Sequence, residues 1–322
     1  MRALTVTFNP AIDQTITIDR LEPGAVHRAR SVRQDAGGKG VNVASCLADW
    51  GVPVSAFGLL GADNGAPFEA LFAAKGIKDH FLRRAGATRV NLKLLDAIDT
   101  TDINMDGAVA DPAQIEALVT AIEAQADKES LILLCGSLPP GCPTDIYARM
   151  VARLRAKGAM LLLDASGPPL AHALKGNVLP HILKPNRHEL EEWHGAPLHD
   201  VADVARVAGS LLARGVKLVV VSMGEDGALF LAQEGTQIAR LTADAVASTV
   251  GAGDAMVAGI AAAIIEGSDL ERIARLSTAF AVAKLGLPGP HLPDAAQVRG
   301  LADRVNITAV EQSNAVLVGE GE

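Results

Sequence analysis

Short apolar runs alternate with amphipathic stretches along most of the chain. The apolar runs are rich in Val, Ile and Leu, which is typical of buried strands in a parallel sheet. They occupy residues 3–8, 54–60, 131–135, 160–163, 181–183 and 216–222. Repeated strand–helix–strand units predict an α/β fold with a mostly parallel central sheet and helices on both faces. Ligands are then expected at the carboxyl ends of the strands.

The segment Pro112–Gln125 is a clear example of the predicted helices. The apolar positions that repeat at helical spacing are Ile115, Leu118, Val119 and Ile122. Such spacing places them on one face of a helix. Asp111 suits the N-cap and Pro112 the first helical turn, so the segment is predicted to pack on the sheet from its surface.

Two segments depart from this pattern. Residues 14–33 and 89–105 alternate polar with apolar side chains, which is the pattern of half-exposed antiparallel strands. They form either a lid over an active site or an edge hairpin of the main sheet, and the pattern favours neither. No Ser/Pro-rich linker separates the chain into parts. We therefore expect one domain over residues 1–322, with a β lid formed by inserted segments at approximately 12–35 and 88–107.

Charge and composition exclude several classes of function. The 322 residues carry a formal net charge of −8, so no basic surface is available for a nucleic-acid backbone. A few converging Lys and Arg side chains would still bind a small anion. The cysteines Cys46, Cys135 and Cys142 form no CxxC pair, so neither a disulfide framework nor a zinc site is expected. The sequence has no signal peptide or membrane-span pattern, and we expect a cytoplasmic protein.

The most informative stretch is residues 248–254, Ser-Thr-Val-Gly-Ala-Gly-Asp, before a helix of small apolar residues. Glycines at a helix start let backbone N–H groups approach an anion closely, and the helix dipole favours negative charge there. Asp254 is then a carboxylate beside an anion hole, where it can accept the proton of a hydroxyl that attacks phosphorus. The alternative is that Asp254 only stabilises the helix start. An ordinary cap does not require the glycines Gly251 and Gly253.

The chain lacks the motifs of better-known nucleotide-binding classes. GxxxxGK[ST] is absent, as are the HRD and DFG motifs, which excludes a Walker-type NTPase and a protein kinase. A GxGxxG motif after a strand is also absent, so a dinucleotide-dependent oxidoreductase is disfavoured.

Two further motifs have both a functional and a structural interpretation. Residues 36–42, Ala-Gly-Gly-Lys-Gly-Val-Asn, combine a glycine turn, a cation and an amide, which suits a phosphorylated or polyhydroxylated ligand. The structural interpretation of this motif is a flexible turn with an exposed lysine. Asn186 and Glu189 lie on one helical face and can order waters around Mg²⁺. Their alternative is a capping box.

Taken together, these motifs resemble the PfkB group of ribokinase-like sugar kinases. The matching motifs are NPAID (9–13), GGKGVN (37–42), CGSLPPG (135–141), KPNRHE (184–189), SMGEDG (222–227) and STVGAGD (248–254). They occur in the family's order over roughly the first 260 residues. Within the family, the closest resemblance is to members that phosphorylate fructose 1-phosphate. It is carried by residues 37–40, 88–93 and 101–104.

The resemblance implies a role for each matching position. Asp254 is expected to be the catalytic base, with Gly251, Ala252 and Gly253 as the anion hole. The implied substrate-binding residues are Asp13, Gly38, Lys39, Asn42, Arg89 and Ser137. The implied nucleotide-side residues are Lys184, Asn186, Glu189, Ser222, Gly224, Gly227 and Thr249. Asn186 and Glu189 are expected to hold Mg²⁺, through water.

The resemblance also implies an activity and an assembly. ATP and Mg²⁺ are the implied cofactors, and a sugar phosphate is the implied substrate. The expected product is fructose 1,6-bisphosphate; tagatose 6-phosphate or fructose 6-phosphate remain alternative substrates. A non-catalytic sugar-phosphate-binding regulator would be expected to have lost Asp254 or the glycines. Relatives pair their lids between subunits, so a homodimer through the β lid is expected.

Overall fold

The computed structural model describes residues 1–244 and 250–310. The strands are β1 (Arg2–Thr7), β2 (Ala11–Thr17), β3 (Ser31–Gly37), β4 (Val54–Gly61), β5 (Lys78–Arg84), β6 (Val90–Leu95), β7 (Thr100–Ile103), β8 (Ser130–Cys135), β9 (Met160–Asp164), β10 (Ile182–Leu183), β11 (Leu218–Ser222), β12 (Ala228–Ala232), β13 (Gly235–Arg240) and β14 (Asn306–Ala309). The α-helices are α1 (Lys39–Asp49), α2 (Ala66–Lys75), α3 (Pro112–Gln125), α4 (Ile146–Ala156), α5 (Gly167–Lys175), α6 (Arg187–His194), α7 (Val201–Ala213), α8 (Ala252–Ile265), α9 (Leu270–Leu285) and α10 (Ala295–Arg304).

The central sheet has ten strands in the order β14-β13-β12-β11-β10-β9-β8-β1-β4-β5. Pairing is parallel from β11 to β5, and β12, β13 and β14 extend the sheet with antiparallel pairs. The α/β prediction is therefore confirmed. The apolar runs of the sequence correspond to β1, β4, β8, β9, β10 and β11. Strands β5 and β12 to β14 were not predicted; β5 is a polar edge strand, Lys-Asp-His-Phe-Leu-Arg-Arg, without the apolar pattern of the others.

Both faces of the central sheet are buried under helices. In β8, Leu131 and Leu133 face a cluster formed with α1, α2, α8, α9 and α10, whereas Ile132 and Leu134 face a cluster formed with α3 to α7. Successive side chains of a strand point to opposite faces. A strand that is apolar at every position is therefore buried on both faces, as the sequence pattern indicated.

The helix over Pro112–Gln125 is confirmed at both ends. The Asp111 carboxylate accepts a hydrogen bond from the Ala113 N–H at 2.8 Å, and the four apolar positions named above are buried.

Among the residues that the structure describes, no helix is both long and apolar enough to cross a membrane.

The alternating segments form a separate four-stranded sheet in the order β3-β2-β6-β7. The second sheet is confirmed, and the edge-hairpin alternative is wrong. One detail differs from the expectation of antiparallel strands, because β2 and β6 pair in parallel. These two strands come from segments far apart in the sequence, so a local pattern of alternation does not fix their relative direction.

One face of this small sheet is polar, and the other is mainly apolar, with the Gln14–Gln34 pair as an exception. Pairing aligns Ile16 with Val32 and Leu94, and Leu92 with Ile103, on one face. The other face carries polar side chains at Asp13, Thr15, Arg33, Lys93 and Asp102, which line a cleft against the central domain.

Helices α8 and α9 pack at unusually short range. A Cβ atom on Gly259 would lie 2.5 Å from the Ser277 Cα atom and 3.1 Å from the Phe280 Cβ atom. Since neither neighbour is the end of a flexible side chain, the glycine is required by packing rather than by helix propensity.

We expect Gly259→Ala to lower the free energy of unfolding by about 1–3 kcal/mol, the range for overpacking a core. The control is Gly209→Ala in α7, where no described atom lies within 4 Å of the added Cβ position. That change should raise stability by about 0.5–1 kcal/mol through helix propensity. Urea denaturation measures both, and equal effects would contradict the close approach of α8 and α9.

Candidate active site

The start of α8 places a buried carboxylate at the carboxyl edge of the central sheet. Gly251 is the N-cap with φ +82°, a conformation that L side chains rarely adopt, and Asp254 follows in the first turn. Asp254 is 7% exposed, and its carboxylate accepts a hydrogen bond from Asn42 Nδ2 at 2.8 Å. This bond comes from another helix, not from the backbone at the start of α8. The geometry therefore disfavours a simple capping role.

Burial raises the pKa of Asp254 to about 6, and the charge of Asp164 adds to this rise. The ammonium groups of Lys39 and Lys184 and the Asn42 hydrogen bond act in the opposite direction. A carboxyl group with such a pKa is ionised at neutral pH and remains basic enough to accept a proton.

Asp164, at the end of β9, joins two lysines that the sequence places far apart. Its carboxylate lies 3.3 Å from Lys39 Nζ and 3.3 Å from Lys184 Nζ. Burial opposes its ionisation, but these two charges keep the pKa of Asp164 below its usual value. For Lys39, burial disfavours the charged form, and the charges of Asp164, Asp254 and Glu189 outweigh it and raise the pKa of Lys39.

The glycines before α1 have structural reasons for their presence. An added Cβ would lie 2.7 Å from Asp13 Oδ2 at Gly37 and 2.4 Å from Thr7 Oγ1 at Gly40, and Gly38 has φ +106°. The flexible-turn interpretation is wrong, because these residues pack α1 tightly against β1 and β2. Lys39, at the first position of α1, is thereby fixed near Asp164.

The cleft between the small sheet and the start of α8 has a volume of about 480 Å³. Of the expected site residues, Asp13, Asn42 and Gly251 line it. Asp13 accepts a hydrogen bond from Asn91 Nδ2 at 3.1 Å, and burial raises the pKa of Asp13. The cations that line the cleft are Arg33, Lys93 and Lys284.

Arg89 lies outside the lining of this cleft. Its guanidinium donates to the Asn9 carbonyl at 2.9 Å, to the Pro10 carbonyl at 3.3 Å and to the Met105 carbonyl. Burial lowers the pKa of Arg89. The side chain thus fastens the turn after β1 to the segment after β7, a structural role that the sequence did not indicate.

Ser137 lies near Asn9, whose side-chain amide donates to Ser137 Oγ at 3.4 Å and to the Asp106 carbonyl at 3.0 Å. Gly136 precedes it with φ +93° and donates its N–H to the Asp164 carbonyl at 2.9 Å. The backbone of this loop is therefore joined directly to the end of β9.

The expected nucleotide-side residues lie around β10 and β11. Asn186 and Glu189 form a capping box, with Asn186 Oδ1 accepting from the Glu189 N–H and Glu189 Oε2 accepting from the Asn186 N–H, both at 2.8 Å. The structural interpretation of this motif is thus confirmed. Ser222, at the end of β11, forms an isolated parallel β-bridge with Asn186.

The short turn after β11 contains Gly224 with φ +62° and Gly227 with φ +86°. An added Cβ on Gly227 would lie 2.2 Å from the Ala239 carbonyl oxygen, so this turn packs closely on β13. Thr249, expected on the same side, lies outside the described residues, as does Ser248.

The polar residues of the site that were not predicted include Asp164, Asn91, Arg33 and Lys284. Asp164 ends an apolar run at the carboxyl edge of the sheet, a signal that could have identified it. Asn91 lies on the same face of its strand as Lys93, in the alternating segment. Lys284 lies in the last turn of α9, in a stretch without a recognisable motif.

Comparison with known proteins identifies the family. The chain matches the profile of the pfkB family carbohydrate kinases over residues 6–295 and belongs to this family. It is 52% identical to a 1-phosphofructokinase of Xanthomonas campestris over 88% of this chain and 91% of that protein. It is 35% identical to a 1-phosphofructokinase of Escherichia coli over 95% of this chain and 98% of that protein.

Solved structures share the fold over nearly the whole chain. Phosphofructokinase-2 from Escherichia coli, in complex with potassium, has a TM-score of 0.88 at 26% identity and covers 94% of this chain and 98% of its own. A possible 1-phosphofructokinase from Thermotoga maritima has a TM-score of 0.85 at 26% identity and covers 97% of this chain and 100% of its own. The ribokinase-like architecture expected from the motifs is confirmed.

Proposed function

We propose that this kinase has 1-phosphofructokinase activity and transfers the terminal phosphoryl group of ATP to the C6 hydroxyl of fructose 1-phosphate. The observation that carries the proposal is the buried Asp254 carboxylate at the glycine-initiated start of α8, next to Asn42 and a polar cleft whose lining includes Arg33, Lys93 and Lys284. The 52% identity to a protein named 1-phosphofructokinase supports the choice of substrate.

In this mechanism Asp254 accepts the proton of the C6 hydroxyl as that oxygen attacks phosphorus. Backbone N–H groups at Gly251, Ala252 and Gly253 stabilise the negative charge on the transferring group. Asp13 and Asn42 hold sugar hydroxyls, with Gly38, Lys39 and Ser137 on the same side. The small sheet closes over the cleft and excludes water.

The nucleotide side suits a magnesium nucleotide. Asn186, Glu189 and Asp164 bring carboxylate and amide oxygens near Lys184, and oxygen ligands are those that Mg²⁺ prefers. One Glu189 carboxylate oxygen is used by the capping box, which leaves the other for a water on the metal. We propose that Asn186 and Glu189 hold Mg²⁺ through water, where the metal would neutralise phosphate charge. Ser222, Gly224, Gly227 and Thr249 are proposed contacts of the nucleotide.

The direct test of the proposed function is ATP consumption measured in parallel with fructose 1-phosphate, fructose 6-phosphate and tagatose 6-phosphate. We expect the highest kcat/KM with fructose 1-phosphate. A higher kcat/KM with either other substrate would reassign the substrate within the family. Binding of all three without turnover would indicate a regulator.

Asp254→Asn should lower kcat about a hundredfold or more and leave the KM for ATP little changed, because it removes the base but keeps the shape of the side chain. The matched control is Asp269→Asn, a carboxylate that caps the start of α9 by accepting from the Arg272 N–H. That variant should keep its kcat.

The pH dependence follows from the same group. The carboxylate form of Asp254 is the active one, and burial raises the pKa of this group to about 6. The kcat/KM of the wild type should therefore fall about tenfold per pH unit below pH 6 and level off above it.

Unchanged turnover in Asp254→Asn would show that Asp254 has a purely structural role.

We propose that Arg89 also binds the phosphate that the substrate already carries. This phosphate does not react, so its contacts should be similar in ground and transition states. Arg89→Ala should raise the KM for fructose 1-phosphate about 10- to 150-fold without raising the KM for ATP. This corresponds to about 1.5–3 kcal/mol, the range for a hydrogen bond to a charged group.

Because Arg89 also holds three backbone carbonyls, a control must report on loop anchoring. Arg84→Ala serves this purpose, since Arg84 donates to the nearby Ala108 carbonyl at 3.2 Å. It should leave the KM for fructose 1-phosphate within about twofold. Equal losses by Arg89→Ala on fructose and on fructose 1-phosphate would refute the phosphate contact.

We further propose a homodimer through the small sheet. Its face away from the cleft exposes Val32 (56%) and Ile103 (43%), beside the half-buried Ile16, Leu92 and Leu94. A largely apolar face of this kind, interrupted by the Gln14–Gln34 hydrogen bond, is typical of a surface covered by a partner. If a second copy of the chain covered this face, the small sheets of the two subunits would pack against each other.

Light scattering should give a dimer at assay concentrations, and Val32→Asp should shift it to a monomer. The control is Val178→Asp, another exposed apolar position (40%) far from the small sheet, which should remain dimeric. A monomeric wild type would refute the dimer.

A further inference from the structure

A lysine that the mechanism above does not use lies buried beside the turn that begins α8. Lys284, in the last turn of α9, is 3% exposed and lines the cleft. Its Cε atom lies 3.4 Å from the position that a Cβ would take on Gly251. On the other side of the turn, Lys184 Nζ lies 3.8 Å from the corresponding position on Gly253. The two lysines therefore flank the proposed anion hole.

The charge of Lys284 is balanced differently from that of the other lysines in the site. Lys39 and Lys184 share the Asp164 carboxylate. Lys284 forms no ion pair with any residue in 1–244 or 250–310, and its Nζ donates to the Leu287 carbonyl at 2.8 Å. A carbonyl dipole satisfies one N–H group but does not neutralise the positive charge, so compensation comes from the Asp254 and Asp35 carboxylates at longer range. An unpaired buried charge is costly, so its position beside a cleft requires an explanation.

The surroundings of this ammonium group favour a bound anion. The start of α8 presents free N–H groups and the positive end of its dipole next to Lys284. The Asp254 carboxylate in the first turn offsets part of this positive charge, and a bound anion would offset more of it. Burial lowers the pKa of Lys284, while the nearby carboxylates of Asp254 and Asp35 oppose this change. An anion bound beside this turn would be stabilised by the Lys284 ammonium group and by the helix start together.

We propose that Lys284 is a further catalytic residue, whose ammonium group stabilises negative charge on the phosphoryl group as it crosses the glycine turn. The inference rests on the proposed kinase function. Its contribution is expected mainly in the transition state, because charge on the transferring group is then closest to Gly251.

The competing explanation is that Lys284 only anchors the loop after α9. Lys75 offers a comparison within the same protein. It donates to Ser45 Oγ at 2.6 Å and pairs with Asp49 at 2.7 Å, and Asp49 in turn accepts the Leu292 N–H at 2.9 Å. Lys75 therefore anchors the loop after α9 while its charge is paired with Asp49, and it does not line the cleft.

The experiment compares Lys284→Gln, Lys284→Met and Lys75→Met in the full chain. Lys284→Gln keeps an N–H donor for the Leu287 carbonyl and removes the charge, whereas Lys284→Met removes both. We expect both changes at Lys284 to lower kcat about 10- to 100-fold, with KM for ATP and fructose 1-phosphate changed less than about threefold. Lys75→Met should lower the thermal midpoint and keep kcat within about twofold.

Chemical rescue separates charge from structure. Ammonium or methylammonium ions should restore part of the kcat of Lys284→Met saturably, and should have no such effect on Lys75→Met or on the wild type. Wild-type kcat in Lys284→Gln, or a loss in Lys284→Met that follows its thermal midpoint without rescue, would overturn the proposal. A wild-type protein inactive on all three sugar phosphates would instead overturn the proposed function.

Discussion

The buried carboxylate of Asp164 is the group on which the arrangement of the site depends. It lies at the end of β9, 1% exposed, and would be unstable there as an isolated charge. Lys39 reaches it from the start of α1, and Lys184 reaches it from the segment after β10. Two segments that lie far apart in the sequence are thus joined through one acceptor. Removing that acceptor would leave the buried Lys184 and the partly exposed Lys39 ammonium groups facing each other, which is a larger penalty than losing one exposed ion pair.

The same cluster explains how neighbouring carboxylates can have different roles. Asp164 has two cations within ion-pair distance, and its pKa is held low against the effect of burial. Among the described residues, Asp254 has only an amide as its direct partner, and burial raises its pKa to about 6. Titratable groups whose environments separate their pKa values in this way are suited to different tasks. Asp164 is therefore the fixed charge of the site, and Asp254 the group able to exchange a proton.

Sequence patterns predicted much of the fold and the positions of the two glycine turns, because these depend on local spacing. The helix over Pro112–Gln125 and the separate small sheet are examples. The pairing of distant segments was not predictable in this way. The parallel pairing of β2 with β6 and the approach of Lys39 to Asp164, 125 residues apart, both depend on tertiary packing. Arg89 shows a further limit, since the sequence indicated a cation but not the three backbone carbonyls that hold it.

Gly37 links the strand register of the small sheet to the polar lining of the cleft. Gly37 pairs with Ala11 in the β2–β3 register, and the Asp13 carboxylate occupies the space that a Cβ on Gly37 would need. A shift of register by one residue would move Asp13 and Thr15 to the outer face and bring Ile16 into the cleft. The close contact at Gly37 opposes that shift, because only the observed register gives the carboxylate room beside a residue without a side chain. One missing side chain thus helps to keep the polar face of the sheet toward the cleft and the apolar face outward.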